Sequence, residues 1–166
     1  MKLRFSRYLA AILGLALLAG IGVVAHSEAP VASADGFGRT EVTFTKWVTE
    51  FPPGGVPVIA NMEGVVGGDV GNGTFAGEVL TFEAIGNGKI SKITADYHLN
   101  GSAHQSTARM HVWQFDAKFA VVTGAVTDGW KKGATVFGTY KVIPCTQAPI
   151  EGLCYQGTLY FVGGGS

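Results

Sequence analysis

The chain has 166 residues, with 12 Lys and Arg against 12 Asp and Glu, and only 14% of its residues are charged. The few basic residues are scattered rather than gathered in a stripe, so we expect no nucleic-acid partner. After the N-terminal segment described next, the remaining length suits one domain with a single hydrophobic core.

The N-terminus has the pattern of a secretory signal. Three basic residues within positions 2–7 precede an apolar run over 8–25, and an Ala-Ser-Ala sequence ends at residue 34. Basic, apolar and small-residue segments in this order are typical of a cleaved signal peptide. We therefore predict a signal helix within residues 1–34 and a secreted domain over 35–166 that does not contact the membrane. An uncleaved anchor is the alternative, because the apolar run is almost long enough to span a bilayer.

The rest of the chain consists of strand-like runs separated by turns rich in Gly, Asn and Asp. No segment after residue 35 has an extended helical period. The predicted strands, in chain order, are Thr40–Thr49, Val58–Val66, Thr74–Ile85, Lys89–Asn100, Gln105–Phe115, Ala117–Asp128, Ala134–Ile143 and Cys154–Val162.

Short turns between these runs predict sequential antiparallel hairpins. A sheet of about eight strands hides its edges most simply by closing. The fold class is therefore all-β, a single antiparallel β-barrel of about eight strands, with a two-sheet sandwich as the alternative. An eight-stranded barrel has room for packed side chains or one small ligand, and we expect the proline-rich segment over 52–57 to cover its mouth.

The hairpin formed by the fourth and fifth runs has one apolar and one polar face. Tyr97 and Met110 belong to the apolar face, which we expect to line the interior because burying it is strongly favourable. The polar face contains Asp96, His98, Arg109 and His111, and we expect these side chains to face solvent. The alternative is an acid/base or metal cluster, since a His pair beside a carboxylate suits either chemistry. We predict no metal site and no cofactor.

Two charged residues fall among apolar neighbours in the strand alternation. Lys46 lies among inward residues of the first run, and Glu78 is assigned to an inward set of the third. A lone buried charge is costly and shifts its pKa toward neutrality, so Glu78 is the candidate catalytic acid or base. The alternative is that a bulge reverses the strand phase, or that both charges lie at a solvated rim. The candidate ligand-binding residues are Lys46, Glu78, Tyr97, Met110 and Tyr140.

Cys145 and Cys154 are the two cysteines of the chain. A close pair in an exported protein indicates a disulfide. A metal site is the alternative, although no His neighbours the pair. We expect a structural bridge that joins the last two strands.

The stretch GAVTDGWKKGATVFGTY over 124–140, followed by Cys145 and by CYQGTL over 154–159, resembles the closing hairpins of the allene oxide cyclase barrel-like proteins. The segment VVGGDVGNGTFAGE over 65–78 is similar to that family's early glycine-rich strand pair. The resemblance implies an eight-stranded, calycin-like barrel with a lumen. The family includes a plant isomerase that cyclises an unsaturated fatty-acid epoxide and bacterial cyclases of polyketides, but none of its active-site residues is transferred to this chain.

Two functional hypotheses follow. The first is a secreted barrel that binds an apolar or amphipathic small molecule in its lumen. If the protein is an enzyme, this hypothesis predicts that it cyclises or isomerises the bound molecule. The second is a non-catalytic structural or interaction barrel with a filled core. A cavity of drug-like size, about 300 Å³ or more, distinguishes the first hypothesis from the second.

Overall fold

The computed structural model describes residues 39–54, 57–150 and 152–165. It contains eight strands: β1 (Thr40–Glu50), β2 (Ala60–Gly68), β3 (Gly73–Ile85), β4 (Ile90–Gly101), β5 (Gln105–Phe115), β6 (Phe119–Gly129), β7 (Thr135–Pro144) and β8 (Leu153–Val162). Each strand pairs antiparallel with the next, and β1 pairs with β8 to close the barrel. The predicted all-β barrel is confirmed. The predicted signal helix lies outside the described residues.

Alternation of polarity explains why each strand has one face inside the barrel. In β5, Ser106, Ala108, Met110 and Val112 are buried while the residues between them are half-buried or exposed. Successive side chains of a strand point to opposite faces, so an apolar set with a period of two supplies one continuous inner surface. Core residues from all eight strands form a single hydrophobic cluster.

The polar face of the β4–β5 hairpin lies on the outside of the barrel. The Arg109 guanidinium donates to the Asp96 carboxylate through Nε and through Nη2, the latter at 2.7 Å from Oδ2. Nδ1 of His98 lies 3.1 Å from Oγ1 of Thr107, and His111 is exposed. These side chains form cross-strand pairs on a solvated surface, as the apolar face opposite them predicts.

One end of the barrel, here called the closed end, is filled by side chains. The loops β2–β3, β4–β5 and β6–β7 meet there, and Val70 of the first loop is fully buried. The His104 ring stacks on Trp130 with centroids 3.9 Å apart and an interplanar angle of 6°. Trp130 in turn lies beside the buried ring of Phe161. Packing of this kind leaves the opposite end as the one that can admit a ligand.

Glycine allows close approach of neighbouring strands in the barrel wall. A Cβ atom added at Gly157 of β8 would lie 2.1 Å from the Thr139 carbonyl oxygen and 2.7 Å from the Tyr140 Cβ. No real Cβ tolerates such distances, so this position requires glycine.

Cys145 and Cys154 form a disulfide across the β7–β8 connection, with their Cα atoms 5.6 Å apart. The predicted pairing is confirmed. Among the residues the structure describes, no helix is long and apolar enough to cross a bilayer.

Candidate functional site

A cavity of about 330 Å³ enters the barrel from the end opposite the closed end. This end, here called the mouth, is where β1, β3, β5 and β7 finish and where the other four strands begin. The lining is mostly apolar, and comprises Lys46, Val48, Phe51, Ile59, Ala60, Met62, Val79, Phe82, Ser91, Ile93, Ala95, Tyr97, Val112, Gln114, Ala117, Tyr140, Val142, Leu153 and Tyr155. The barrel is therefore only partly filled by its own side chains.

Exposed apolar rings stand at the rim of the mouth. Phe51 follows β1 and is 52% exposed, while Phe82 near the end of β3 is 55% exposed, although both contribute to the cavity lining. Residues 52–54 and 57–59 lie between β1 and β2 at this end, as expected for a segment near the mouth. Residues 55 and 56 of the predicted cover lie outside the described chain.

Lys46 is the charged residue inside the cavity. It continues the inward alternation of Val42 and Phe44 along β1, so the strand itself directs its side chain into the barrel. The residue is only 4% exposed. Its Nζ donates to the Tyr97 hydroxyl at 2.5 Å and contacts the Met62 sulfur at 3.4 Å. The Tyr97 hydroxyl and the Met62 sulfur thus hold the amine at the inner end of the cavity.

Aromatic rings surround the Lys46 amine. The Nζ atom lies 4.1 Å from the Tyr97 ring centroid and 5.3 Å from that of Tyr140. The rings of Phe75, Tyr155 and Phe44 follow at 5.6, 5.7 and 6.0 Å. Ring faces attract a cation when they lie within about 6 Å of it. This aromatic cage offsets part of the cost of burying the amine, but it supplies no negative charge.

Burial sets the protonation states in the cavity. Desolvation lowers the pKa of Lys46 from 10.5 to about 7. Among the described residues that line the cavity, none is acidic, so no ion pair opposes this effect. Desolvation, with a smaller contribution from Tyr155, raises the pKa of Tyr97. The site therefore presents an amine that can be neutral at neutral pH beside a phenol that keeps its proton.

Tyr140 is held in place near the amine by two contacts. Its hydroxyl donates to Oε1 of Gln114 at 2.8 Å, and its ring meets Tyr155 edge-on with centroids 5.5 Å apart. Burial raises the pKa of Tyr140 as well, with further contributions from Tyr97 and Tyr155. The polar groups of the cavity are accordingly few and held in place, as is usual where a protein orients a small ligand.

Of the five candidate ligand-binding residues, the structure brings Lys46, Tyr97 and Tyr140 together around one cavity. Met110 is fully buried but does not line it. Glu78 is exposed and lies outside the cavity. The burial of Met110 agrees with its place on the apolar face of the β4–β5 hairpin, although it lies outside the cavity, whereas the exposed position of Glu78 differs from the sequence-based expectation.

The position of Glu78 follows from the phase of β3. Phe75 and Gly77 are the buried residues in this part of the strand, so Glu78 faces outward. A register shift in the pairing with β4 falls between Val79 and Thr81, after which the inward phase changes. The predicted alternation treated β3 as uninterrupted and so placed Glu78 in the same set as Phe82.

Three cavity residues that contact Lys46 or Tyr140 were not among the predicted site residues: Met62, Gln114 and Tyr155. The signal for two of them was present in the sequence, because Gln114 follows Met110 and Val112 on one face of β5. Tyr155 likewise precedes Leu159 and Phe161 on one face of β8. Met62 becomes significant only through its contact with the Lys46 amine, which the sequence does not show.

Comparison with protein-family models, with curated proteins and with solved structures found no match to this chain. Within the described ranges, no group of three or more His, Cys, Asp or Glu residues is arranged to hold a metal ion.

Proposed function

We propose that this protein binds an apolar or amphipathic small molecule inside the barrel, with the apolar body in the cavity and a polar group at Lys46 and Tyr97. The observation that carries the proposal is the cavity of about 330 Å³, which falls within the range of about 300–1,000 Å³ that is usual for small-molecule sites. Its apolar lining favours an apolar ligand.

The buried lysine gives separate support to a binding site over a purely structural barrel. A buried amine without an acidic partner costs folding free energy, and an apolar residue at position 46 would avoid that cost. Ionisable groups with strongly shifted pKa values are concentrated at functional sites. A filled structural core offers no comparable reason for Lys46.

Secretion and enzymatic activity are finer parts of the same proposal. The Cys145–Cys154 disulfide supports an oxidising, extracytoplasmic location. For an activity of the cyclase or isomerase type, the neutral amine of Lys46 and the phenol of Tyr97 form the acid/base pair inside the cavity. Membership of the allene oxide cyclase barrel-like family remains a proposal that rests on the glycine and turn patterns of the sequence.

The test is a fluorescence titration with N-phenyl-1-naphthylamine, a neutral apolar dye that brightens in dry sites. Ala95 lines the cavity and is 1% exposed, so Ala95→Phe should fill the cavity and weaken dye binding at least about tenfold, which is about 1.4 kcal/mol. The matched control is Ala125→Phe, which makes the same change at an exposed position of β6.

A folded Ala95→Phe variant that binds the dye as tightly as the wild type would contradict the proposal, and so would a wild-type protein that does not bind it. Circular dichroism of each variant establishes that the barrel is intact. Loss of binding in the Ala125→Phe control as well would place the dye on the outer surface and argue against the cavity.

A further inference from the structure

We infer that the cavity captures carbonyl compounds covalently: Lys46 Nζ forms an imine with the carbonyl carbon of an apolar aldehyde or ketone. This inference rests on the proposed function, because the ligand must first enter the cavity. It adds the chemical class of the ligand and the residue that reacts with it.

The geometry places a single reactive amine where a ligand's polar end would lie. Lys46 is the only charged residue among the described side chains that line the cavity. Its Nζ has a hydroxyl partner in Tyr97 at 2.5 Å and only a weak acceptor in the Met62 sulfur. A carbonyl compound that enters from the mouth with its carbonyl group first reaches this amine at the aromatic cage.

Burial gives this amine an advantage over the lysines on the surface. With a pKa of about 7, about half of the Lys46 amine is neutral at pH 7, whereas an ordinary lysine is neutral in about one molecule in several thousand. Only the neutral form has the lone pair needed for attack. The reactive fraction is therefore about a thousandfold larger than at an exposed lysine.

The step balances without any additional reactant. The Nζ lone pair forms the C–N bond while the carbonyl π electrons move to oxygen, and one proton passes from the nitrogen to that oxygen. Tyr97 donates a proton to the hydroxyl of the resulting carbinolamine, which leaves as water while the nitrogen lone pair completes the C=N bond. The remaining N–H proton then passes to the Tyr97 oxygen, which restores the phenol. No atom is oxidised or reduced, and hydrolysis reverses the capture.

The same observations favour a carbonyl over a carboxylate ligand. A carboxylate would have to lose its hydration in a mostly apolar cavity, and a buried ion pair often fails to recover that cost. A neutral aldehyde, by contrast, reaches the neutral amine in the cavity without any charge being transferred from water. Because the pKa of Tyr97 is raised, its hydroxyl is protonated at neutral pH and can hydrogen-bond to the oxygen of the carbonyl group.

The experiment is reductive trapping with octanal and cyanoborohydride at pH 7, followed by intact mass measurement and peptide mapping. Apart from labelling of the α-amino group of the N-terminus, which peptide mapping separates, we expect one alkyl group per chain, located at Lys46 and formed at least about a hundredfold faster than at any surface lysine, a conservative bound on the difference in neutral fraction. Lys46→Met should abolish this fast labelling. Lys118→Met is the matched control, because Lys118 is exposed in the β5–β6 connection at the mouth and its loss should leave the fast labelling unchanged.

Two further measurements on the wild type keep the inference testable if Lys46→Met does not fold. Octan-1-ol, which fits the same cavity but has no carbonyl group, should slow labelling of Lys46 and not of Lys118. Raising the pH from 7 to 10 should reduce the preference for Lys46, since surface amines also become neutral. The titratable groups facing this amine are Tyr97 from β4, Tyr140 from β7 and Tyr155 from β8.

Labelling spread evenly over the surface lysines, or unaffected by octan-1-ol, would overturn the inference. Displacement of N-phenyl-1-naphthylamine by octanal without trapping at Lys46 would also overturn it, but would leave the proposed function intact. Failure of every one of these compounds to enter the cavity would instead count against the proposed function.

Discussion

Replacing Lys46 with Met should remove a pH-dependent cost of folding. Burial lowers the pKa of Lys46 to about 7 in the folded protein, against 10.5 as its ordinary value. Between these two pH values the unfolded chain binds one more proton at this residue than the folded protein does. The free energy of unfolding of the wild type should therefore rise with pH across this window.

The size of the effect follows from the two pKa values. Their difference corresponds to about 5 kcal/mol between the fully protonated and fully neutral limits, at 1.36 kcal/mol for each pKa unit. Between pH 7 and pH 9, the contribution of Lys46 should raise the free energy of unfolding by about 2 kcal/mol. The rise is smaller than the full difference because Lys46 is already half neutral at pH 7. The variant has no amine at this position and should lack this contribution.

The contribution of Lys46 is measured by urea denaturation at pH 7, 8 and 9. Unfolding is followed by circular dichroism, without added oxidant or reductant. The quantity to compare is the change with pH in wild type minus the change in Lys46→Met, because contributions from all other groups cancel. Lys46→Met also removes the hydrogen bond to the Tyr97 hydroxyl, and that loss costs about 1–3 kcal/mol by itself. The comparison of the two pH dependences is insensitive to this cost. Lys141→Met, at an exposed position of β7, is the matched control.

Parallel pH profiles for wild type and Lys46→Met would refute this reasoning, since they would mean that the Lys46 amine stays protonated in the folded barrel. A profile for Lys141→Met that flattens as much as that of Lys46→Met would show that the effect is not specific to the buried amine.

Three other expectations concern the barrel wall. Replacing Cys145 and Cys154 together with Ser should lower the free energy of unfolding by about 2–3 kcal/mol, and an unchanged urea midpoint would contradict the bridge. Gly157→Ala should reduce the yield of folded protein or lower its melting temperature sharply, whereas Gly165→Ala, which meets no atom within 4 Å, should be neutral. Arg109→Met should cost less than about 1 kcal/mol and leave dye binding unchanged; a large loss of binding would return the outer polar cluster to consideration as a site.

The strands and the barrel could be predicted from the sequence because their causes are local. Alternating polarity and turn residues at short intervals determine where a strand begins and which face it buries. The β5 prediction, Gln105–Phe115, agrees with the structure at both ends. Other strand ends moved by one or two residues. β2, for example, begins at Ala60 rather than at Val58, because the preceding proline-rich segment has no regular pattern.

The site was predictable only in part because it depends on packing between distant strands. Lys46 stood out as a charge in an apolar inward set, and Tyr97 and Tyr140 as inward aromatics. Glu78 was assigned to the interior because the register shift in β3 has no clear sequence signal. The division of the barrel into a filled end and an open end depends on how the His104 and Trp130 rings stack, which no single strand specifies.

The most direct test of the account is a crystal structure of the protein grown with N-phenyl-1-naphthylamine. We predict electron density for the dye inside the barrel, in contact with Ala95, Tyr97 and Tyr140. The outer wall carries an open hollow over β1, β2 and β8, which includes Thr43 and Gln156. Dye bound only in that hollow, with the cavity at the mouth empty, would contradict the claim that the interior is a ligand site.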